Sequence, residues 1–541
     1  MTRRAYVLLF LLGLSMALGL AAFQTAPGYM DADYYYATGK QLAAGQGFVE
    51  PFLWNYLDDP AGMPHPSHLY WMPLAAMLAA AGMWVSGVHS FLTARLGFLL
   101  LSACLPPVTA WLAFSFGGNR KQALIAGLLG LFPGFYLPFL TTTDTFGIYM
   151  MLGVLFLEAS RRAVQESAES VKVVSVLKWC ALTGMLAGLM HLTRADGVIW
   201  MFMGLATAWA ASGRLPVSGK GVASGLAARR LGSLAALVMG YLLVTSPWIA
   251  RNLHLAGSIS APGAARALWI TNYDELFIYP AELLTPARWW ASGIGELLGA
   301  RLWALGQNLQ TALAVQGEVF LVPLVLAGLW RFRRDPRVRF GGLAWVLTFL
   351  VMTAVFPFQG ARGGWFHSGA AVQPLFWALA PAGLQVLVEW GEQRRGWVSG
   401  QGLAILGSGL VALAVLVTFV TVYSRMNGAA TAVPPWGQAE AVYARVEQAL
   451  HEVGAPPGAT VLVNNPPGYF GATGRPALVI PDGDEAATLA VARRYQAAYL
   501  LLEPNHPRAL EDLYRNPGDR PELDFLLTVD GVHIFHIGDE R

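Results

Sequence analysis

Residues 1–36 read MTRRAYVLLFLLGLSMALGLAAFQTAPGYMDADYYY. Two arginines precede an apolar run from Ala5 to Phe23, long enough to cross a bilayer core, which takes about 20 residues of helix. A basic start and an apolar run also describe a signal peptide. This run is of spanning length and others like it follow, so it reads as an uncleaved first helix. Asp31 and Asp33 come almost at once and are expected at the membrane surface, where a carboxylate beside hydrocarbon is costly unless hydrated, paired or used.

Working outward, further apolar runs occur at 92–116, 121–141, 145–160, 178–193, 195–211, 232–249, 308–330, 340–358, 368–389 and 400–423, eleven with the first. The stretch 70–87 is also apolar, but counting it as a span scatters the following basic residues over both sides. It reads as a re-entrant or interfacial helix. With the N-terminus inside, Arg3, Arg4, Arg120, Lys121, Arg161, Arg162, Lys172, Lys178, Arg214, Lys220, Arg229, Arg230, the run RFRRDPRVR (331–339), Arg394 and Arg395 gather on the cytoplasmic side, as the positive-inside rule requires. The expected fold is mainly α: a polytopic membrane protein of about 11 transmembrane helices plus that re-entrant or interfacial helix, with a C-terminal extracytoplasmic α/β domain.

Composition agrees. Of 541 residues 55% are apolar and 13% charged, against about 25% charged in soluble proteins, which excludes a soluble enzyme. Cys104 and Cys180 lie far apart in apolar runs and exclude both a disulfide framework and a thiolate zinc cluster. The net charge of +3 hides an asymmetry, because residues 431–541 hold 15 acids and 8 bases, net −7. No nucleic-acid partner is expected. In that acidic part GATVLVNN, PALVIP, AAYLLLEP, DFLLTV and GVHIFHI read as strands and DEAATLAVARRY as a helix. The expected division is 1–423, a membrane domain with outer loops 24–69 and 250–307, and 424–541, a soluble α/β domain outside.

The chemical candidates are acids at outer span ends. Asp31 and Asp33 stand before the helical pattern YYYATGKQLAAG, and Asp144 lies in TTTDTFGIYMML at the start of another span. Each also suits a helix N-terminus. Brought together from different helices, such acids supply a general base with a positioning or metal-binding partner. In a helix Asp31 and Asp33 point about 160–200° apart; in an extended segment they share a face and hold one cation together. Both remain open here. No cofactor is required by the sequence, and a divalent metal on Asp31, Asp33 or Asp144 is left open.

Together DADYY (31–35), TTDTF (142–146), LTRADG (192–197) and SPWIARNLHLAGS (246–258) resemble, in that order, the motifs of the GT-C superfamily of polytopic membrane glycosyltransferases. The likeness is nearest to glycosyltransferase family 39, the clan of protein O-mannosyltransferases and aminoarabinose transferases, and covers roughly residues 1–390. It implies a polyprenyl-phosphate-linked sugar donor, a glycan, lipid or protein acceptor, and a catalytic Asp31. Where the family often has Lys-Pro-Pro-Leu-Tyr, this chain has HPSHLY at 65–70 with no lysine. His65 and His68 then become candidates for the donor phosphate, with Arg251, Arg362 and His367.

The sequence therefore points to an enzyme of the cell (cytoplasmic) membrane, among membrane lipids, whose Asp31 takes the proton from an acceptor in an inverting displacement. Asp33 is its neighbour in the catalytic motif and Asp144 a second acidic site. Two other classes stay open: a transporter or flippase of lipid-linked saccharides, and a non-catalytic assembly scaffold.

Overall fold

The structure, a computed structural model, describes residues 1–169, 173–213, 222–260, 262–428, 435–518 and 520–538. Of the bases assigned above to the inner side, Lys172, Arg214 and Lys220 lie outside the described residues. The chain forms two compact units. One comprises Met1–Ala22, Phe98–Arg251 and Trp303–Tyr423; the other comprises Phe23–Gly97, Asn252–Leu302 and Ser424–Arg541.

The first unit is helical. Eight described helices are long and apolar enough to cross a membrane: Arg3–Phe23, Leu96–Gly117, Arg120–Leu140, Val173–Thr193, Leu226–Ala256, Pro336–Val355, Pro357–Arg395 and Ser399–Asn427. Two more helices, Phe146–Glu169 and Val198–Ser212, stand where spans 145–160 and 195–211 were expected. Pro357–Arg395 is the most enclosed, with 83% of its apolar window buried. In lipid there is little hydrophobic force between helices, so close contact must come from small residues. A Cβ on Gly184 would strike the Leu237 carbonyl, and one on Gly240 would strike the Ala181 carbonyl, so the two glycines let these helices touch backbone to backbone.

The expected span 308–330 is not one helix. A helix runs Ile294–Gln310, so it begins inside the expected loop 250–307; it loosens at Thr311–Gln316 and breaks at Gly317–Leu321 before resuming as Val322–Arg331. Glu318 and Val319 adopt positive φ there, and Glu318 is buried. The apolar run around Glu318 masks this break when hydropathy is averaged.

The second unit is built on a sheet. Its strands are β1 (Val49–Glu50), β2 (Phe52–Leu53), β3 (His65–Pro66), β4 (Thr460–Val463), β5 (Ala477–Val479), β6 (Ala497–Leu502), β7 (Leu523–Val529) and β8 (Val532–Ile537). β1 pairs antiparallel with β3, and the other six form one sheet in the order β2-β5-β4-β6-β8-β7. The pairs β2–β5, β5–β4 and β4–β6 are parallel, and β8 and β7 close the edge antiparallel. Phe52 pairs with Ala477 and Leu53 with Leu478. The expected loop 24–69 thus contributes a strand to the C-terminal sheet.

The loop 250–307 reaches the same sheet. Ile278 bridges to Asp482, and Phe277 and Tyr279 pack on a core that includes Leu53, Tyr56, Leu462, Leu478, Leu500 and Phe535. The 70–87 stretch forms the helix Leu74–Ser86 within this unit. Its 13 residues rise about 20 Å, short of the roughly 30 Å of a bilayer core.

Candidate functional site

Met30–Ala43 is an α-helix preceded by an extended Tyr29, so the extended alternative for Asp31 and Asp33 falls away. Two positions on a helix turn by about 200°, and the aspartates face opposite ways. Asp31 is partly exposed, while Asp33 is 3% exposed. Asp33 Oδ2 accepts from Asn465 Nδ2 at 2.8 Å, and its carboxyl is held well above the usual range, first by burial and then by the Glu440 carboxylate beside it. Glu440 is raised too, chiefly by burial. Two acids so placed share a proton rather than both ionise.

The residues just before this helix are held by the same part of the chain. Gly28 N–H donates to Glu440 Oε1 at 3.3 Å, Trp436 Nε1–H donates to the Ala26 carbonyl at 2.8 Å, and the Tyr29 and Trp436 rings meet edge to face. A Cβ on Gly28 would strike the Trp436 ring. Asn465, Glu440 and Trp436 were not singled out from the sequence. Asn465 had a signal in the NNPPG turn, where an Asn before prolines caps a helix; Glu440 and Trp436 had none.

His65 and His68 are both buried. His65 Nε2 lies 3.1 Å from Glu50 Oε1 and 3.2 Å from the Phe52 carbonyl. Glu50 and Asp58 both favour a proton on His65 and, outweighing its burial, lift it above the ordinary imidazole value. His65 therefore lies beside two carboxylates, Glu50 and Asp58. His68 Nδ1 pairs with Ser67 Oγ at 2.8 Å, and its backbone N–H donates to the Tyr34 hydroxyl at 2.8 Å.

In the first unit, Asp144 and His367 come together. Residues Thr141–Thr145 are fully enclosed, and Asp144 Oδ1 accepts from the Thr145 backbone and from its hydroxyl. Asp144 Oδ2 lies 3.0 Å from His367 Nε2, while His367 Nδ1 lies 2.9 Å from the Gly363 carbonyl and its ring stacks on Phe146 at 4.1 Å. A carbonyl only accepts, so Nδ1 carries the hydrogen. Nε2 then faces a carboxylate either as a second N–H or as a lone pair sharing a cation with it. Asp144 and His367 each offer one ligand atom of the kind a divalent cation takes, with His367 Nδ1 held by the Gly363 carbonyl.

Arg362 is exposed on the break Gly360–Gly364, where Gly363 takes φ +121°. Arg251 lies over the Trp248 ring at 4.4 Å. Arg194 Nε donates to Asp196 Oδ1 at 3.0 Å, so these two satisfy one another.

Neither a family model nor a curated protein matches the chain. Solved structures do. The archaeal oligosaccharyltransferase AglB from Archaeoglobus fulgidus, in complex with an inhibitory peptide and a dolichol-phosphate, is similar over 94% of this chain and 70% of its own, with 12% identity and a TM-score of 0.55. ArnT from Cupriavidus metallidurans, bound to undecaprenyl phosphate, is similar over 99% of this chain and 98% of its own, with 13% identity and a TM-score of 0.53. A further A. fulgidus oligosaccharyltransferase structure, a complex with Zn and sulfate, matches over 94% of this chain and 68% of its own at 12% identity and a TM-score of 0.54. The chain shares the fold of these solved structures.

Proposed function

We propose that the protein is an integral membrane glycosyltransferase that moves a sugar from a polyprenyl-phosphate-linked donor to a glycan, lipid or protein acceptor on the outer face of the cytoplasmic membrane. The observation that carries the reading is the asymmetry at the head of the Met30–Ala43 helix. Asp33 is closed in by Asn465 and Glu440, whereas Asp31, on the opposite side, stays partly exposed. Asp31 is therefore assigned as the base and Asp33 as a residue that fixes its helix. Support for the donor class comes from the dolichol-phosphate on AglB and the undecaprenyl phosphate on ArnT, two proteins of the same fold.

In the reaction the acceptor hydroxyl oxygen attacks the anomeric carbon and the bond from that carbon to the phosphate oxygen breaks, with inversion. The hydroxyl proton passes to Asp31 and polyprenyl phosphate leaves. Arg251 and Arg362 are assigned to the phosphate, for which a guanidinium offers two parallel N–H donors. Asp144 and His367 would hold a divalent cation, whose charge would favour departure of the phosphate.

A labelled polyprenyl-phosphate sugar in detergent tests the reading. Asp31→Asn is expected to lower glycosyl release by about 10²–10⁴, the usual worth of a general base, with thermal unfolding unchanged. Undiminished turnover would overturn it. One observation favours the transporter class: Glu318, buried at the break of an interrupted helix in an otherwise apolar run, is the pattern of transporter binding sites. Movement of a labelled lipid-linked sugar across liposomes, without release of the sugar, would select that reading.

A further inference from the structure

We propose that Arg333, Arg334 and Arg339 form a binding site for the phosphate headgroup of an anionic phospholipid. The site lies within the first unit and does not depend on the transferase reading.

The segment RFRRDPRVR at 331–339 joins the helices Val322–Arg331 and Pro336–Leu350, and it holds five arginines against one aspartate. Two of the five are matched. Arg331 Nη1 lies 2.8 Å from Glu389 Oε2, and the buried Arg337 places Nη2 2.8 Å from Asp335 Oδ2. The other three, Arg333, Arg334 and Arg339, are exposed, and among the described residues no carboxylate pairs with them.

Two of these three are held in place. Arg333 lies over the Trp330 ring at 4.4 Å and donates Nη1 to the Trp330 carbonyl at 2.9 Å, while Arg339 donates Nε to the Arg333 carbonyl at 3.0 Å. A guanidinium carries five N–H donors, so each bond leaves most of them for an acceptor outside the protein. Like charges gathered in one turn repel. A phosphate between them removes the repulsion and takes the paired N–H donors that a guanidinium offers.

The apolar surface beside the arginines selects a lipid. Leu326 and Trp330, four residues apart on one helix, are 60% and 71% exposed. On the next helix Arg339, Leu343, Val346 and Leu350 follow at spacings of four, three and four, which puts them on one face, and all four are exposed. Each apolar stripe thus leads to an arginine. A phospholipid fits both parts, with acyl chains along the stripes and its phosphate at the guanidiniums, beside a tryptophan at headgroup level. A soluble anion uses only the arginines, and the choline of a zwitterionic lipid brings a further cation to them.

Native mass spectrometry of the full-length protein in detergent, titrated with phosphatidylglycerol or with phosphatidylcholine of the same chains, should show the first phosphatidylglycerol bound about tenfold more tightly or better. Arg333→Gln with Arg339→Gln should abolish that preference. Arg3→Gln with Arg4→Gln removes the same charge from two exposed arginines elsewhere and should leave it intact. Should the first double variant fail to fold, Arg334→Gln, whose side chain makes no bond among the described residues, should alone weaken phosphatidylglycerol about threefold or more. Inorganic phosphate at the lipid's concentration should not displace it; displacement would overturn the assignment to a lipid. Equal binding of the two lipids by wild type, a preference that survives in Arg333→Gln with Arg339→Gln, or an equal loss in Arg3→Gln with Arg4→Gln would overturn the site.

Discussion

Asn465 Nδ2 donates to Asp33 Oδ2 at 2.8 Å while Asn465 Oδ1 accepts the Gly468 backbone N–H at 3.1 Å. One amide therefore caps the Pro466–Thr473 helix and holds the head of the Met30–Ala43 helix, 432 residues away in sequence. Asn465→Ala removes both bonds. The lost cap costs about 0.5–2 kcal/mol and the stranded Asp33 about 1–3 kcal/mol, so chemical denaturation should show a loss of about 2–4 kcal/mol. Asn465→Asp keeps the cap but offers a third carboxylate in place of the donor, and should be the less stable of the two.

The same region should make stability fall with rising pH. Asp33 and Glu440 are held above the ordinary carboxyl range, and Glu503, which accepts the Asn464 N–H at 3.1 Å, is pushed up by burial to about 7. Unfolded, such groups titrate near about 4. An acid raised on folding contributes stability below its unfolded value and loses it as pH rises through the folded one. The unfolding temperature of Glu503→Gln relative to wild type should therefore climb from about pH 4 and level off above about pH 7. A difference that stays flat across that range would refute the assignment.

What could be read in advance follows from how each feature is encoded. The strands of the C-terminal part are β-branched runs bounded by turn residues, visible without any partner. The two-residue β2 has no periodicity of its own; it exists because Leu53 and Tyr56 enter a core with Leu478 and Leu500. Asp144 was visible as an acid at a span end, but its bond to His367, 223 residues away, was not. The sequence shows the His367 imidazole but not the carboxylate that faces it, because the two are brought together only by the packing of separate helices.

The Asp144–His367 pair predicts a graded response. With Nδ1–H committed to the Gly363 carbonyl, the ring is fixed in orientation and only Nε2 meets Asp144. His367→Gln keeps a polar group near Asp144 and should lower glycosyl release by about 10–100-fold, the usual effect of disturbing a metal ligand or its support. If a divalent cation is held there, a chelator should lower wild-type release and leave the residual activity of His367→Gln nearly unchanged. Equal chelator sensitivity in both proteins would place the metal elsewhere.

Arg475 is the most buried cation of the second unit, 1% exposed, with Nε and Nη2 on the Glu447 carboxylate at 2.7–3.1 Å and Nη1 on the Pro456 and Ala459 carbonyls at 2.6 and 3.1 Å. All three guanidinium nitrogens are used, so shortening it strands two carbonyls and leaves the Glu447 carboxylate only the Tyr469 hydroxyl and the exposed His451 as partners. Arg475→Met should cost about 3–5 kcal/mol, as loss of one partner of a buried pair does. The double variant Arg475→Met, Glu447→Gln removes the stranded charge but keeps a group for the Tyr469 hydroxyl, which donates to Glu447 Oε2 at 2.8 Å. It should recover a large part of that loss in chemical denaturation, because the penalty arises from the uncompensated charge rather than from the missing contacts.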